Sequence, residues 1–276
     1  MCRLIGFASL ASESIGDVIG EQQCDMFQDM SRLHRDGWGT MWLDDERTPG
    51  SPTVAAVRSV ASGLSDVDLR SSLISQPSRA RVAHLRLASK GMPIRPENTH
   101  PYLAGNLGFA HNGGIIPTAA LRSLLTEKYL AEVQGDTDSE LYFALIRQNL
   151  RRGGSLSSAT VDAVAEIRSR YPSASLNALL LSADQLIAVH ASRHTPIPHE
   201  EFADSGLPHH ELPLEHATDY YRMGYYRSAN GSIAFSSVGI DMAGWHELPQ
   251  ESVTTVDLRT LQLEVIALES AESLTA

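Results

Sequence analysis

The chain has 276 residues, of which 42% are hydrophobic and 20% are charged, a composition typical of a folded globular protein. Its formal net charge is −11, which disfavours binding to nucleic acid or to an anionic membrane surface. Two cysteines are too few for a disulfide framework, and no apolar run approaches the ~20 residues of a membrane span. We therefore expect a cytoplasmic enzyme or interaction protein without a secretory signal.

The first half of the chain mixes short apolar runs, which predict strands, with runs that have the spacing of an amphipathic helix. Strands are predicted at residues 2–9, 39–43, 53–60, 80–87 and 106–111. Helices are predicted at residues 17–33, 66–74, 118–129, 138–151 and 161–171. Thr137 and Glu140 have the spacing of a capping box at the start of the helix at 138–151.

The second half, after Pro172, is dominated by strand patterns. Strands are predicted at residues 176–182, 186–191, 222–227, 232–236, 252–257 and 263–268. Residues 194–218 are rich in His, Pro, Asp and Glu and predict a long surface loop or lid. We expect a single domain over residues 2–268 and a flexible tail at 269–276, with packed sheets and outer helices in an α+β layering.

Cys2 follows the initiator methionine and becomes the first residue of any chain from which Met1 is removed. Such a residue carries a thiol nucleophile together with an α-amine. The reference pKa of about 7.7–8.0 makes that amine a usable base near neutral pH. A cysteine at position 2 often has no function, so this observation is weak when it stands alone. Cys24 lies in a predicted helix, and we interpret it as a core residue.

Residues 111–113 have the sequence His-Asn-Gly and follow an apolar strand. The Asn112 amide and the Gly113 N–H could form a two-donor oxyanion hole, although Asn-Gly is also the commonest hairpin signal.

Three further residues could contact a substrate. Arg86 ends a predicted strand, where it could clamp a carboxylate or be an ordinary surface arginine. Asp138 begins a predicted helix, where it could bind an ammonium group or serve the helix terminus alone. His100 could bind substrate or be a hydrogen-bonded structural residue.

Histidines near the centre of residues 194–218 offer conceivable zinc ligands: His209, His210 and His216, with Glu211 or Glu215. Adjacent histidines on a loop rarely share a metal, and no spacing such as HExxH occurs. We therefore expect no metal and no cofactor.

Six segments occur in one order along the chain. They are MCRLIGF at 1–7, HRDGWG at 34–39, HLRLAS at 84–89, NTHPY at 98–102, HNGG at 111–114 and DTDSE at 136–140. Together they resemble a class II glutamine amidotransferase domain, a kind of N-terminal nucleophile hydrolase. The resemblance is greatest to the stand-alone YafJ-like or EgtC-like branch and covers residues 2 to about 260. It implies a four-layer αββα sandwich.

The resemblance also implies site roles. Cys2 would be the nucleophile, with its own α-amine as base, and Asn112 and Gly113 would form the oxyanion hole. Arg86 would bind the α-carboxylate of the glutamyl group, and Asp138 would bind its α-amine. We also expect His100 to contact the substrate. A chain that retained Met1 would lack the amine base.

The implied reaction releases glutamate from glutamine or from a γ-glutamyl amide through a γ-glutamyl thioester. Because no synthase domain follows in this sequence, the alternatives are a free-standing hydrolase or a glutaminase subunit that passes ammonia to a separate synthase. A third alternative is a catalytically silent regulatory protein. A cysteine acylase of the bile-salt or penicillin-V type is a fourth alternative and ranks lower. Leu87 stands where the family often has an aromatic residue, which puts a tight glutamine loop in doubt. A homo-oligomer is possible.

Overall fold

The computed structural model describes residues 2–45 and 52–268, so the predicted tail at 269–276 lies outside the described residues. Two antiparallel sheets form the centre of the molecule. The seven-stranded sheet contains β1 (Cys2–Glu13), β2 (Trp38–Asp44), β3 (Thr53–Ser59), β4 (Ser78–Arg86), β9 (Met223–Arg227), β10 (Ile233–Ser237) and β11 (His246–Glu247). The six-stranded sheet contains β5 (Tyr102–Ala104), β6 (Leu107–Asn112), β7 (Asn177–Ser182), β8 (Gln185–His190), β12 (Ser252–Asp257) and β13 (Leu263–Ala267).

The strand order is β11-β9-β10-β1-β4-β2-β3 in the first sheet and β13-β12-β8-β7-β6-β5 in the second. The first strand of the chain is therefore central, paired with β4 on one side and β10 on the other.

Helices cover the outer faces of both sheets. They are α1 (Ile15–Ile19), α2 (Glu21–Asp29), α3 (Val67–Ile74), α4 (Thr118–Arg122), α5 (Glu127–Leu130), α6 (Asp138–Arg152) and α7 (Leu156–Arg168). A further short helix, α8 (His199–Asp204), contributes Phe202 to a separate apolar cluster. One apolar cluster joins α1–α3 to the seven-stranded sheet, a second fills the space between the sheets, and a third joins the six-stranded sheet to α6 and α7. This layering confirms the predicted α+β fold as a four-layer αββα sandwich.

Alternation along the strands decides which side chains face the space between the sheets. In β4, Ala83 and Leu85 pack toward the helices, whereas Val82 packs between the sheets. His84 and Arg86 have the same parity as Val82, so they share its face. Because this face is buried, the polar residues on it must find partners or serve a ligand.

Two predicted helices are interrupted. The helix expected at 17–33 divides at Gly20, whose φ is 91°, and ends in a short 3₁₀ turn at Met30–Arg32. The helix expected at 118–129 divides into α4 and α5. Residues 194–218 were predicted as a loop but contain α8 and a 3₁₀ turn at His209–Glu211. Short segments of this kind obtain their structure from tertiary packing, which periodicity alone does not report.

Thr137 caps α6 as predicted, since its side chain accepts a hydrogen bond from the Glu140 N–H. The predicted capping box is not closed, because the Glu140 carboxylate instead accepts from the N–H groups of Gln134 and Gly135. Within the described ranges, no helix has both the length and the hydropathy needed to cross a membrane.

Candidate active site

Cys2 is the first residue of β1 and lies opposite Arg86 in the antiparallel register with β4. Strand parity places the Cys2, His84 and Arg86 side chains on the face between the sheets, at one end of the sandwich. All three residues are buried. A reactive thiol, an imidazole and a guanidinium are thus held by two adjacent strands of one rigid sheet.

Asn112 approaches Cys2 from the opposite sheet, at the end of β6. Its Oδ1 accepts a hydrogen bond from the Cys2 backbone N–H over 3.0 Å. Its Nδ2 is buried and has no hydrogen-bond partner among the described residues. An amide donor without a partner beside a thiol is available to a ligand oxygen, and leaving it unsatisfied costs about 1–3 kcal/mol.

The turn after Asn112 is held by His111 and requires Gly113. His111 Nε2 lies 2.9 Å from the Ser175 carbonyl oxygen, so it donates, and Nδ1 accepts from the Ser139 hydroxyl at 2.9 Å. A Cβ at Gly113 would lie 2.0 Å from the same Ser175 oxygen. Burial also lowers the pKa of His111, consistent with a neutral ring in this one tautomer. The sequence analysis gave His111 no role.

The Arg86 guanidinium is held by backbone oxygens, with Nη1 donating to the Asp36 carbonyl and Nη2 to the Pro93 carbonyl, both at 3.3 Å. Throughout residues 2–45 and 52–268, no carboxylate forms an ion pair with it. The nearby acids Asp136 and Glu97 pair with Arg95 instead. A buried arginine without a counter-ion suits an anionic ligand group.

Asp138 begins α6, as predicted. Its Oδ2 accepts the Ile115 N–H at 2.5 Å and its Oδ1 accepts the Ser139 N–H at 2.9 Å, so the carboxylate is fixed beside the turn that follows Asn112. The residue is half-buried, and no cation pairs with it within the part of the chain that the structure describes.

Residues 1–214 match the family model described as "Glutamine amidotransferases class-II". The chain belongs to the class II glutamine amidotransferases. The chemistry of this family is hydrolysis or transfer of the glutamine amide, and its characterised members are enzymes.

Curated relatives are similar to this amidotransferase over part of its length. The glutamine–fructose-6-phosphate aminotransferase (isomerizing) of Aeropyrum pernix is 30% identical over 155 residues, which are 55% of this chain and 23% of that protein. The probable glutamine amidotransferase DUG3 of Saccharomyces cerevisiae is 30% identical over 128 residues, 44% of this chain and 35% of that one. The matched region therefore spans about a quarter to a third of these relatives.

Two solved structures share the fold. A glutamine aminotransferase class-II domain protein from Silicibacter pomeroyi gives a TM-score of 0.62 at 18% identity, covering 98% of this chain and all of that one. The glutamine phosphoribosylpyrophosphate amidotransferase from B. subtilis gives 0.63 at 13% identity, covering 97% of this chain and 49% of that one. The two sheets and outer helices thus form an N-terminal nucleophile hydrolase fold.

His100, predicted as a substrate contact, lies deep in the amidotransferase site. Its ring centroid is 4.2 Å from that of His84 and 4.8 Å from that of Tyr102. The segment that carries it crosses β2 at Gly39, where a Cβ would lie 2.2 Å from the His100 carbonyl oxygen. Burial lowers the pKa of His100 well below its ordinary value, and the nearby His84 charge lowers it further.

The electrostatics at Cys2 favour a thiolate. Burial raises the pKa of the thiol, but the charge of the adjacent His84 imidazole and its contact with the sulfur lower it, and the resulting pKa is about 6. His84 begins the HLRLAS motif, but the sequence alone predicted no role for it. Its effect depends on β1 and β4 lying side by side, which the sequence alone does not display.

Arg3 is a second residue that sequence reasoning missed. It is buried, and its Nε donates to the Cys2 carbonyl oxygen at 2.5 Å, while Nη1 donates to the carbonyls of Tyr220 and Val238 at 3.1 Å. Its guanidinium carbon lies 3.8 Å from the centre of the Tyr220 ring. Arg3 thereby ties the start of β1 to the segment that follows residues 194–218.

Two segments near the site are joined by Asn98. Its Oδ1 accepts the Asp136 N–H at 2.8 Å, and its Nδ2 donates to the Asp136 carboxylate at 3.1 Å. The NTHPY and DTDSE segments are thus a single unit in the amidotransferase.

The conceivable zinc ligands of the 194–218 segment are not brought together. His209 and His210 are exposed, whereas His216 is buried with its Nε2 3.0 Å from that of His34. The segment instead packs beside the site. Phe202 of α8 joins a cluster with Leu33, Tyr220 and Tyr221, and Leu87 packs against it.

Proposed function

We propose that this protein is a cytoplasmic amidohydrolase that cleaves the γ-amide of glutamine or of a γ-glutamyl amide, with Cys2 as the nucleophile. The observation that carries the proposal is the meeting of Cys2 and Asn112. The Cys2 nitrogen lies 3.0 Å from Asn112 Oδ1, while Asn112 Nδ2 has no partner in the part of the chain that the structure describes. In a chain that begins at Cys2, this nitrogen is the α-amine, and Asn112 orients it beside the sulfur.

Recognition of the glutamyl group is assigned to two opposite charges. Arg86, which has no carboxylate partner among the described residues, binds the α-carboxylate, and Asp138, which has no cation partner among them, binds the α-ammonium. A substrate fixed at both groups presents its γ-carbonyl carbon to the sulfur, and this positioning supplies much of the rate enhancement.

The first step forms a bond between Cys2 Sγ and the γ-carbonyl carbon. The carbonyl π electrons move to oxygen, and the oxyanion accepts hydrogen bonds from Asn112 Nδ2 and the Gly113 N–H. The thiol proton passes to the α-amine of Cys2. Collapse of the tetrahedral intermediate breaks the C–N bond, and the same proton leaves on the departing amine.

The second step hydrolyses the γ-glutamyl thioester. The α-amine takes a proton from water, the resulting hydroxide oxygen bonds to the γ-carbon, and the C–S bond breaks to give glutamate. The same two donors stabilise the second oxyanion. The Cys2 sulfur recovers a proton and the site returns to its starting state.

The test is glutamate release by purified protein of known N-terminal mass from glutamine, γ-glutamyl anilide and bulkier γ-glutamyl amides. Cys2→Ala is the essential negative control, and Cys24→Ala is the matched cysteine control. Release that needs Cys2 and not Cys24 supports the proposal. No release from any substrate, by protein whose mass shows that Met1 has been removed, contradicts it and favours the silent regulatory alternative.

The 194–218 segment is our candidate cover for a leaving group larger than ammonia. Leu87, the residue directly after Arg86, packs against the cluster that contains Phe202, and Asp204 pairs with Lys90 over 3.1 Å. This cover lies beside the carboxylate-binding arginine, where it can contact a substrate. A preference for bulky amides indicates a free-standing hydrolase, whereas activity on glutamine alone favours an ammonia donor with a separate synthase.

Phe202→Ala tests the role of this cover, with the half-exposed Leu214→Ala in the same segment as its control. We expect Phe202→Ala to change the ratio of kcat/KM for a bulky amide over glutamine by roughly tenfold, since a lost apolar contact is worth about 1–3 kcal/mol. Leu214→Ala should leave the ratio unchanged. An unchanged ratio in the Phe202 variant removes the segment from substrate selection.

A further inference from the structure

Three potential metal ligands converge at the buried end of β1. Cys2 Sγ and one ring nitrogen each of His84 and His100 all lie within 4.8 Å of one another. They come from β1, from β4 and from the segment that crosses β2. Among the described residues, no other set of three His, Cys, Asp or Glu side chains has its ligand atoms this close together.

The two imidazoles have unused ligand atoms. Apart from the neighbouring Cys2 thiol, neither ring nitrogen of His84 or of His100 has a hydrogen-bond partner among the described residues. His84 is fully buried and His100 is 4% exposed. Buried imidazole nitrogens are normally satisfied, so two rings that bond no group among the described residues other than this thiol point to a ligand.

The donor set and its dimensions suit a borderline-soft divalent cation. Zinc binds thiolate sulfur at about 2.3 Å and imidazole nitrogen at about 2.0–2.1 Å, so a tetrahedral site has donor–donor distances of roughly 3.3–3.6 Å. The three donors lie within 4.8 Å of one another, so the site requires them to approach by about 1 Å on binding. Three protein ligands leave the fourth position for water, and hard oxygen-seeking cations such as magnesium find no suitable donor here.

We propose that Cys2, His84 and His100 form a binding site for Zn²⁺, and that the bound ion reversibly blocks the Cys2 thiol. The Sγ–Zn bond forms as the thiol proton leaves to solvent, with no change of oxidation state. The sulfur electron pair that would attack a carbonyl is then shared with the metal. The positive charge of nearby Arg86 opposes the ion and weakens its binding, which favours reversible occupation.

The first experiment measures binding without any substrate, so its result is independent of the proposed amide reaction. Chelator-treated full-length protein is titrated with Co²⁺, which replaces zinc and reports a sulfur ligand by a thiolate-to-cobalt charge-transfer band. We expect one Co²⁺ per chain with this band, and its loss when Zn²⁺ is added. Cys2→Ala should abolish the band and Cys24→Ala should retain it.

His84→Asn and His100→Asn test the imidazoles. Each should weaken Zn²⁺ affinity by at least about tenfold, measured by competition with a chromophoric chelator. The buried His190→Asn, whose ring bonds the Leu248 carbonyl outside this cluster, should leave the affinity unchanged. Should a variant fail to fold, X-ray absorption of the zinc-loaded wild-type protein should show one sulfur and two imidazole ligands.

Several results would overturn the inference. They are no cobalt band in the wild type, a band that survives Cys2→Ala, a zinc affinity unaffected by both histidine variants, or an absorption spectrum without sulfur. Iodoacetamide labelling of Cys2, which needs no catalysis, should fall at least about tenfold with stoichiometric Zn²⁺ and recover with chelator. Full labelling in saturating Zn²⁺ contradicts the proposed block.

Discussion

The two cysteines of the chain are both buried, yet their chemistry is opposite. Cys2 lies at the end of β1 with a thiol pKa of about 6, whereas Cys24 lies within α2 and burial raises its pKa to about 12. Cys24 packs in the apolar cluster between α1–α3 and the seven-stranded sheet. Burial raises the pKa of both thiols, so burial does not distinguish them.

The difference comes from polar neighbours. Cys2 lies beside His84 and Asn112, whose ring and amide nitrogens have no other partners within residues 2–45 and 52–268. The Cys24 sulfur instead lies 4.0 Å from the backbone carbonyl of Leu73. A charged neighbour can outweigh desolvation when it directly contacts the group. The lowered pKa of Cys2 therefore depends on the polar groups that the structure brings to the end of β1.

Removal of each sulfur gives the largest expected contrast. Cys2→Ala should lower glutamate release by at least about 10⁴-fold, because the covalent step has no substitute. Cys24→Ala should keep kcat within about twofold, since Cys24 does not touch the site. Steady-state assays on protein with matched circular dichroism spectra provide the comparison. Equal losses in both variants would show that folding, not nucleophilicity, was being measured.

Asn112→Ala tests the polar partner and should lower kcat by about 10²–10³-fold, the effect of losing one oxyanion donor. Asn149→Ala is the matched control, because Asn149 bonds Glu166 between α6 and α7. Glutamate affinity should stay within a few-fold in both variants, measured by calorimetry. A loss of affinity with an unchanged kcat would make Asn112 a binding residue.

Alkylation should separate the two thiols in metal-free protein. At pH 7 the thiolate fraction favours Cys2 by about 10⁵, while its lower intrinsic nucleophilicity reduces this by about 10²–10³, leaving at least about 10² in rate. The Cys2 rate should fall as pH drops through about 6, where the thiol becomes protonated, and level off above it. Mass spectrometry after iodoacetamide treatment reports both sites. A Cys2 inflection near pH 9 would show that His84 does not lower its pKa.

Serine substitution gives the smallest effect. Cys24→Ser places a hydroxyl in an apolar cluster and should cost about 1–3 kcal/mol in the free energy of unfolding. Cys2→Ser should cost less than about 1 kcal/mol, since His84 and Asn112 can bond the new hydroxyl. Urea unfolding checks both values. The reverse order would mean that the Cys2 environment is as apolar as that of Cys24.

The sequence predicted the fold class and most strands because alternating apolar residues report burial on each face. It placed Arg86 and Asn112 at strand ends for the same reason, and the structure finds each as the last residue of its strand. It missed the division of α1 from α2 at Gly20 and the helix α8. These depend on contacts between distant segments.

The sequence also did not predict that Cys2, His84 and His100 lie close together. Each residue stands in a different motif, and their meeting depends on the β1–β4 register and on Gly39 letting the His100 segment cross β2. Strand pairing at long range is not encoded in any local window. The motifs therefore identified these residues separately and did not predict that they meet.

The central position of β1 sets the order of events during synthesis. The Leu4 N–H donates a hydrogen bond to the hydroxyl of Ser237, 233 positions later in the chain. At a synthesis rate of about 5–20 residues per second, one edge of β1 therefore stays unpaired for roughly 10–50 s. Cys2 is 6% exposed once the sandwich has closed. Because the proposed reaction needs the α-amine of Cys2, we expect Met1 to be removed before this closure, while β1 is still without its later partner strand.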